Sequence, residues 1–453
     1  MSKHLYLSIL LPSTIIAQEN PNIVIFLADD CTFNDIGCYG GINVPTPNID
    51  SFSEEGIKFN NAFQATAMSA PTRSNLYTGL YPVRNGGYPN HSFTNSNIKS
   101  IVQYLQPLGY DVALHGKSHV APKEVYPFHI LGQEEQDLDF QIIDDYLLSQ
   151  IKKKENFCLF VCSKEPHGPF THGNPNLCPP DKLILPTYFV DTPETRDMYS
   201  KYLAEVNYMD WQFGQILNLI EKNRLYNNTI IIFTSEQGNT FPFAKWTCYD
   251  AGLQTAFIIR WPSTIQIRTI SDALIEYTDV VPTLIDIAGG NPENYALDGK
   301  SFLPLLKNEK KEHKKYVYGL QTTRGVNHGA EYYGIRTIRS KQFRYIINLT
   351  PEKTFKSQGT RWNVFKSWKI KAETDIKAAF LVNKYLKRPY EELYNITTDP
   401  FQLKNIANDK KYTEIKKEMK EQLMEWMKSQ GDSGQETELD ALKHTLKYYN
   451  SKK

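Results

Sequence analysis

Two hydrophobic rhythms alternate along the chain. Short, continuous apolar runs occur at Asn22-Ile-Val-Ile-Phe-Leu-Ala28, Val112-Ala-Leu114, Phe157-Cys-Leu-Phe-Val161, Thr229-Ile-Ile-Ile-Phe233 and Ala256-Phe-Ile-Ile259. Runs of this length, apolar on both faces, suit strands buried in a parallel sheet. Between them the apolar positions step by three or four. Ile98, Ile101, Val102, Leu105 and Leu108 form one such face, stopped by Gly109. Met198, Tyr202, Val206, Met209, Phe213, Ile216 and Ile220 form another, within a helix expected from about Pro193 to Leu225. Shorter helices are expected over Thr46–Gly56 and Pro282–Ala288. Strands alternating with helices over residues 20–330 predict an α/β domain with a large, mainly parallel sheet sandwiched by helices.

From about Tyr332 the texture changes. Gly334 to Leu349 alternates like a hairpin with Ser340-Lys341-Gln342 near its turn. A lysine-rich helical segment follows over Trp362–Arg388, and a final amphipathic helix carries Ile415, Met419, Leu423 and Met427. Residues 331–453 therefore read as a smaller C-terminal α+β subdomain, its lysines a solvated face. At the other end, Lys3 and His4 precede an apolar run from Leu5 to Ile16 interrupted by Pro12. This suits a cleaved secretory signal over residues 1–17 and a periplasmic or secreted protein, and is too short to span a membrane. No segment reads as an integral membrane helix.

Composition narrows the function classes. With 51 basic against 50 acidic residues, the chain lacks the basic excess of a nucleic-acid binder. The six cysteines are scattered without zinc-like pairing. Cys158 and Cys162 read as packing residues, and one disulfide is compatible with an oxidising compartment.

The polar clusters carry the chemistry. Asp29-Asp30, Lys117 and His119, His167, and Glu236-Gln237 each follow the carboxyl end of an expected buried strand, the edge at which open α/β sheets bind ligands. Ser69 begins a stretch, Ser69-Ala-Pro-Thr-Arg73, that can start a helix: Pro71 suits a first turn, and Arg73 lies about one turn on. Alone, that stretch equally suits an ordinary capped helix with a surface arginine. Beside it, however, Asp29, Asp30, Glu236 and Gln237 offer oxygens to a hard cation. Arg73, Lys117, Lys245 and two histidines suit an anion whose leaving group must be protonated. Together they form an apparatus for sulfuryl or phosphoryl transfer.

Ser69-Ala-Pro-Thr-Arg73, with Ser74 and then Thr78-Gly79, resembles the signature of the type I sulfatases in its serine form. Ala28-Asp-Asp30, Gly116-Lys117-Ser118-His119, Pro166-His167-Gly-Pro169, Lys245 to Pro262 and Glu391-Glu-Leu-Tyr-Asn395 extend the resemblance over the whole mature chain. It implies an alkaline-phosphatase-like fold. It also implies that Ser69 is converted to formylglycine, whose hydrate attacks sulfur in line, by a radical-type sulfatase-maturating enzyme as partner. One calcium ion would be held by Asp29, Asp30, Glu236 and Gln237. Arg73 would orient the hydrate, Lys117 and Lys245 bind sulfate oxygens, His167 serve as acid and His119 as base. Two departures stand out: Glu236 and Gln237 replace the usual aspartate and asparagine, and Gln254 stands where relatives commonly have arginine.

Gly116 to Phe128, Leu185 to Pro193 and Tyr316 to Gln321 resemble the heparan N-sulfatase branch, implying a sulfated saccharide substrate with O- or N-linked sulfate. His91, His115, Arg324 and Trp362 are candidate substrate contacts. A phosphomonoesterase or phosphonate hydrolase of the same superfamily, and a non-catalytic glycan-binding relative, are the alternatives.

Overall fold

The computed structural model describes residues 20–262 and 264–451; the expected signal segment, 1–17, lies outside them. Among the described residues, thirteen strands form two sheets. The large sheet contains β1 (Asn22–Asp29), β2 (Ile57–Phe63), β3 (Tyr110–Gly116), β4 (His129–Ile130), β5 (Asn156–Cys162), β6 (Thr229–Glu236), β7 (Gln254–Thr255), β8 (Phe257–Arg260) and β9 (Thr269–Glu276). Its order is β4-β3-β5-β1-β6-β8-β2-β7, with β9 also paired to β2. The five strands from β4 to β6 are mutually parallel, while β8 runs against both β6 and β2. The expected mainly parallel sheet is present.

Why β1 is apolar on both sides follows from its packing. Val24, Phe26 and Ala28 point into one core, and Ile23, Ile25 and Leu27 into the other. The first core is roofed by the helix Pro193–Lys222, whose Tyr202, Val206, Met209, Phe213, Ile216 and Ile220 are buried. The second is roofed by Ser69–Thr78, Ile101–Leu105 and Val280–Ile287. Alternate residues of one strand thus serve two helical layers, which a period of two requires.

The small sheet runs β10 (Val317–Gln321), β11 (Ile335–Arg339), β12 (Phe343–Asn348) and β13 (Glu391–Asn395), antiparallel throughout. It begins ahead of the expected boundary at 331, because Val317–Gln321 pairs with the first strand of the hairpin. The lysine-rich segment is two helices, Asn363–Lys371 and Ile376–Leu386, the second capped by Asp375, whose side chain accepts from the Ala378 amide. The helix Thr413–Ser429 lays Met419, Leu423, Trp426 and Met427 on this sheet, but further short helices follow it, so it is not the last.

All six cysteines are free thiols, with Cys158 and Cys162 buried in β5. No helix among the described residues is long and apolar enough to cross a membrane.

Candidate active site

The parallel register brings the polar clusters together. Asp29 and Glu236 are direct partners at the ends of β1 and β6, and Gly116 and Cys162 at the ends of β3 and β5. Gly116 has φ +94°, and a Cβ there would lie 2.1 Å from the Cys162 carbonyl oxygen. Only glycine lets the chain turn out of β3 into Lys117 at this point. β2 ends at the same edge and feeds, through residues 64–68, the helix Ser69–Thr78.

Every residue of that helix is buried, Arg73 completely, so the capped surface helix is excluded. Ser69 is its first residue and Gly79, at φ +68°, closes it in the left-handed conformation. Ser69 Oγ donates to Asp29 Oδ1 at 3.4 Å and accepts from Gln237 Nε2 at 2.9 Å. Gln237 Nε2 also donates to Asp30 Oδ1 at 2.7 Å. The Arg73 guanidinium reaches Glu236 Oε1 through Nε at 3.1 Å and Nη2 at 2.8 Å, and donates to the Lys117 carbonyl. Lys117 pairs with Asp29, and Lys245 with Asp30 Oδ2 at 2.7 Å. His167 Nδ1 donates to the Gly168 carbonyl at 2.7 Å, leaving Nε2 3.6 Å from Asp30 Oδ2.

Three carboxylates and three cations are thus interleaved around one serine, all but Lys117 nearly closed to solvent. Burial works against the Asp29 carboxylate, yet Lys117, His167 and Arg73 hold it well below the usual carboxylate range. Glu236, equally buried and facing Asp29, is pushed up to about 8. A cavity of about 300 Å³ opens over Asp29, Lys117 and His167.

His119 lies beside this group. Its backbone N–H and that of Ser118 donate to Glu135 Oε1 at 2.8 and 3.0 Å, an anchor that no spacing in the sequence announces. Its Nε2 meets His91 Nδ1 at 3.2 Å. Burial, then Lys117 and Arg73, keep the His119 imidazole well below its ordinary pKa, hence neutral near pH 7. Asp30, His91, His119 and Gln237 all have positive φ, at 62°, 52°, 48° and 23°. Such strain in non-glycine residues is tolerated where the surrounding structure holds it.

Two expected substrate contacts fall elsewhere. His115 is fully buried in β3: its Nδ1 donates to the Leu131 carbonyl at 2.8 Å, and its Nε2 accepts from the Asp139 amide at 2.8 Å. It is a structural crosslink, because both ring nitrogens are spent on backbone. Trp362 precedes the helix Asn363–Lys371 and lines a separate cavity with Glu194, Asp197 and Met198. Arg324 does sit at the rim: its carbonyl accepts from the Asn90 amide at 3.2 Å, next to His91. Glu165, His172 and Glu205, which no local pattern in the sequence links, bring ligand atoms within 4.8 Å of one another, and Glu165 and His172 line the same cavity.

The donor set fits a hard dication. Among the described residues, Glu236 Oε2 and Gln237 Oε1 are buried without a hydrogen-bond partner, and Asp29 and Asp30 complete an all-oxygen set. Half a turn of the Gln237 amide exchanges its inward N–H₂ for its oxygen.

Fold and site define a centre of interleaved carboxylates and cations at the carboxyl edge of a parallel sheet. The sulfatase family model matches residues 21–290, and the model for the C-terminal region of N-sulphoglucosamine sulphohydrolase matches 238–358. An ulvan-active sulfatase of Formosa agariphila is 36% identical over 433 residues, covering 92% of this chain and 81% of its own. Human N-sulphoglucosamine sulphohydrolase is 25% identical, covering 89% of each. A structure solved in complex with its substrate, D-glucosamine-2-N,6-O-disulfate, superposes with a TM-score of 0.71 at 22% identity, over 92% of this chain and 100% of that one. The chain belongs to the sulfatase family, a family of sulfuric ester hydrolases.

Proposed function

We propose that the protein is an exported sulfatase that hydrolyses sulfate groups from a sulfated polysaccharide, with Ser69 as the precursor of formylglycine. The observation that carries this is the setting of Ser69 Oγ. It lies at a buried helix start between Gln237 Nε2 at 2.9 Å and Asp29 Oδ1 at 3.4 Å, ringed by Arg73, Lys117 and Lys245. An unassisted serine hydroxyl is a weak nucleophile, and the carboxylate that accepts from this one, Asp29, is paired with Lys117 and held well below the usual carboxylate range, which makes it a poor base. Formylglycine supplies a hydrated aldehyde, a better oxygen nucleophile.

Asp29, Asp30, Glu236 and Gln237 would hold calcium, which supplies Lewis-acid polarisation of sulfate oxygens when bound. Lys117 and Lys245 are poised to exchange their carboxylate partners for sulfate oxygens. Arg73, locked by Glu236 and the Lys117 carbonyl, fixes the nucleophile's orientation. His167 turns Nε2 inward and delivers a proton to the leaving oxygen or nitrogen. His119, kept neutral, accepts the proton whose removal releases sulfate and restores the aldehyde.

The family relatives act on ulvan and on N-sulfoglucosamine by name, which supports a glycan substrate. The test is side-by-side turnover, by protein co-expressed with a radical-type maturating enzyme, of 4-nitrophenyl sulfate, 4-nitrophenyl phosphate and O- and N-sulfated saccharides. Sulfate release exceeding phosphate release supports the reading; a phosphate preference replaces it with the phosphohydrolase of the same superfamily.

A further inference from the structure

A second polar centre lies on the rim, on the segment between β10 and β11. The Arg324 guanidinium carbon lies over the Tyr332 ring, 3.7 Å from its centroid, and Lys353 Nζ approaches the same ring at 5.8 Å. Arg324 makes one weak side-chain contact, Nη2 to the exposed Glu331 carboxylate at 3.4 Å, and its Nε is buried without a hydrogen-bond partner among the described residues. A guanidinium with an unspent N–H and one distant acceptor is poised for a bidentate oxyanion.

Its place relative to the catalytic centre is fixed by backbone. The Asn90 amide donates to the Arg324 carbonyl at 3.2 Å, and Gly325, at φ +75°, lies so close to Asn90 that a Cβ would be 1.9 Å from its carbonyl oxygen. The next residue, His91, meets His119 at 3.2 Å. Arg324 is therefore tied by backbone to the loop that carries His91, which in turn touches His119. Tyr332 is held at φ 51°, a left-handed conformation that a bulky residue adopts only under constraint.

We infer that Arg324, presented on Tyr332 and supported by Lys353, binds an anionic substituent (a uronate carboxylate or a second sulfate) on the sugar adjoining the one that loses sulfate. The inference rests on the sulfatase reading and deepens it: the substrate class is a polysaccharide charged on successive residues.

The test compares three disaccharides with the same cleavable sulfate, whose neighbouring sugar carries a carboxylate, a sulfate, or the carboxyl-reduced alcohol. For the matured enzyme, either charged neighbour should give at least a tenfold higher kcat/KM than the neutral one. R324A should remove that advantage mainly through KM, and R324K should restore only part of it. Calorimetric titration of the S69A protein with the same disaccharides reads the preference without turnover, and raised salt should erode it. If S69A shows an Arg324-dependent charge preference but matured protein releases no sulfate, the sulfatase reading falls and this site stands. If sulfate is released from all three alike, or R324A and R324K lose equally on charged and neutral neighbours, the anion site is overturned while the sulfatase reading stands.

Discussion

Asp29 and Glu236 face each other as register partners at the carboxyl ends of two adjacent parallel strands. Two buried carboxylates at that spacing repel, and the fold answers with Arg73 on Glu236 and Lys117 on Asp29.

Arg73 is the keystone of that arrangement. Arg73→Ala leaves the buried Glu236 with only the Lys117 ammonium, 3.9 Å from Oε1, at a cost of up to about 3–5 kcal/mol, and should lower Tm by several degrees. Arg73→Lys keeps the charge but not the fork that spans Glu236 and the Lys117 carbonyl. It should retain most of the stability while lowering kcat by about a hundredfold or more. Thermal unfolding and kcat measured on both variants check the split.

Calcium should stabilise the protein measurably. A ligand that binds only the folded state adds about 2.7 kcal/mol at a hundredfold excess over Kd, so Tm should rise with calcium and fall back with chelator. Asp30→Asn and Glu236→Gln should each flatten the rise. Differential scanning calorimetry across a calcium series reads this without any activity assay.

The acid limb of the pH profile should report His119. A base must be neutral, and burial with Lys117 and Arg73 lowers its pKa, so kcat/KM should hold as pH falls past 6.5 and decline only below it. Lys117→Met removes one of the depressing charges and should move the limb upward, beside a large loss in rate. Initial rates from pH 4 to 8 decide it; a limb unmoved in Lys117→Met would remove His119 from the role of base.

His115 should behave as a structural residue. His115→Ala strands the Leu131 carbonyl and the Asp139 amide, at about 1–3 kcal/mol per unsatisfied group. Tm should drop while KM changes less than about twofold. A KM effect without a Tm effect would return it to the substrate site.

The centre was legible because its residues announce themselves locally. Apolar runs ending in Asp29-Asp30 and Glu236-Gln237 declare both strand and strand end, and Pro71 with Arg73 declares the helix. What stayed hidden depends on distant pairing. Val317–Gln321 belongs to the small sheet only through its register with β11. Glu205 reaches Glu165 and His172 only because the long helix Pro193–Lys222 folds back along the sheet. His115, a candidate substrate contact by sequence, lies inside β3, which continues through it to Gly116 and buries it. Trp362, another candidate substrate contact, precedes a helix packed against residues 192–195.

The central claim is tested most directly by sulfate release from one polysaccharide by two proteins. Both are co-expressed with the maturating enzyme, and the peptide containing Ser69 is weighed in each. The native sequence should lose about two mass units at Ser69 and release sulfate, quantified by ion chromatography; Ser69→Ala should fold with the same Tm and release none. Equal sulfate release by Ser69→Ala, or full conversion at Ser69 with no release from any sulfated glycan or aryl sulfate, would contradict the account.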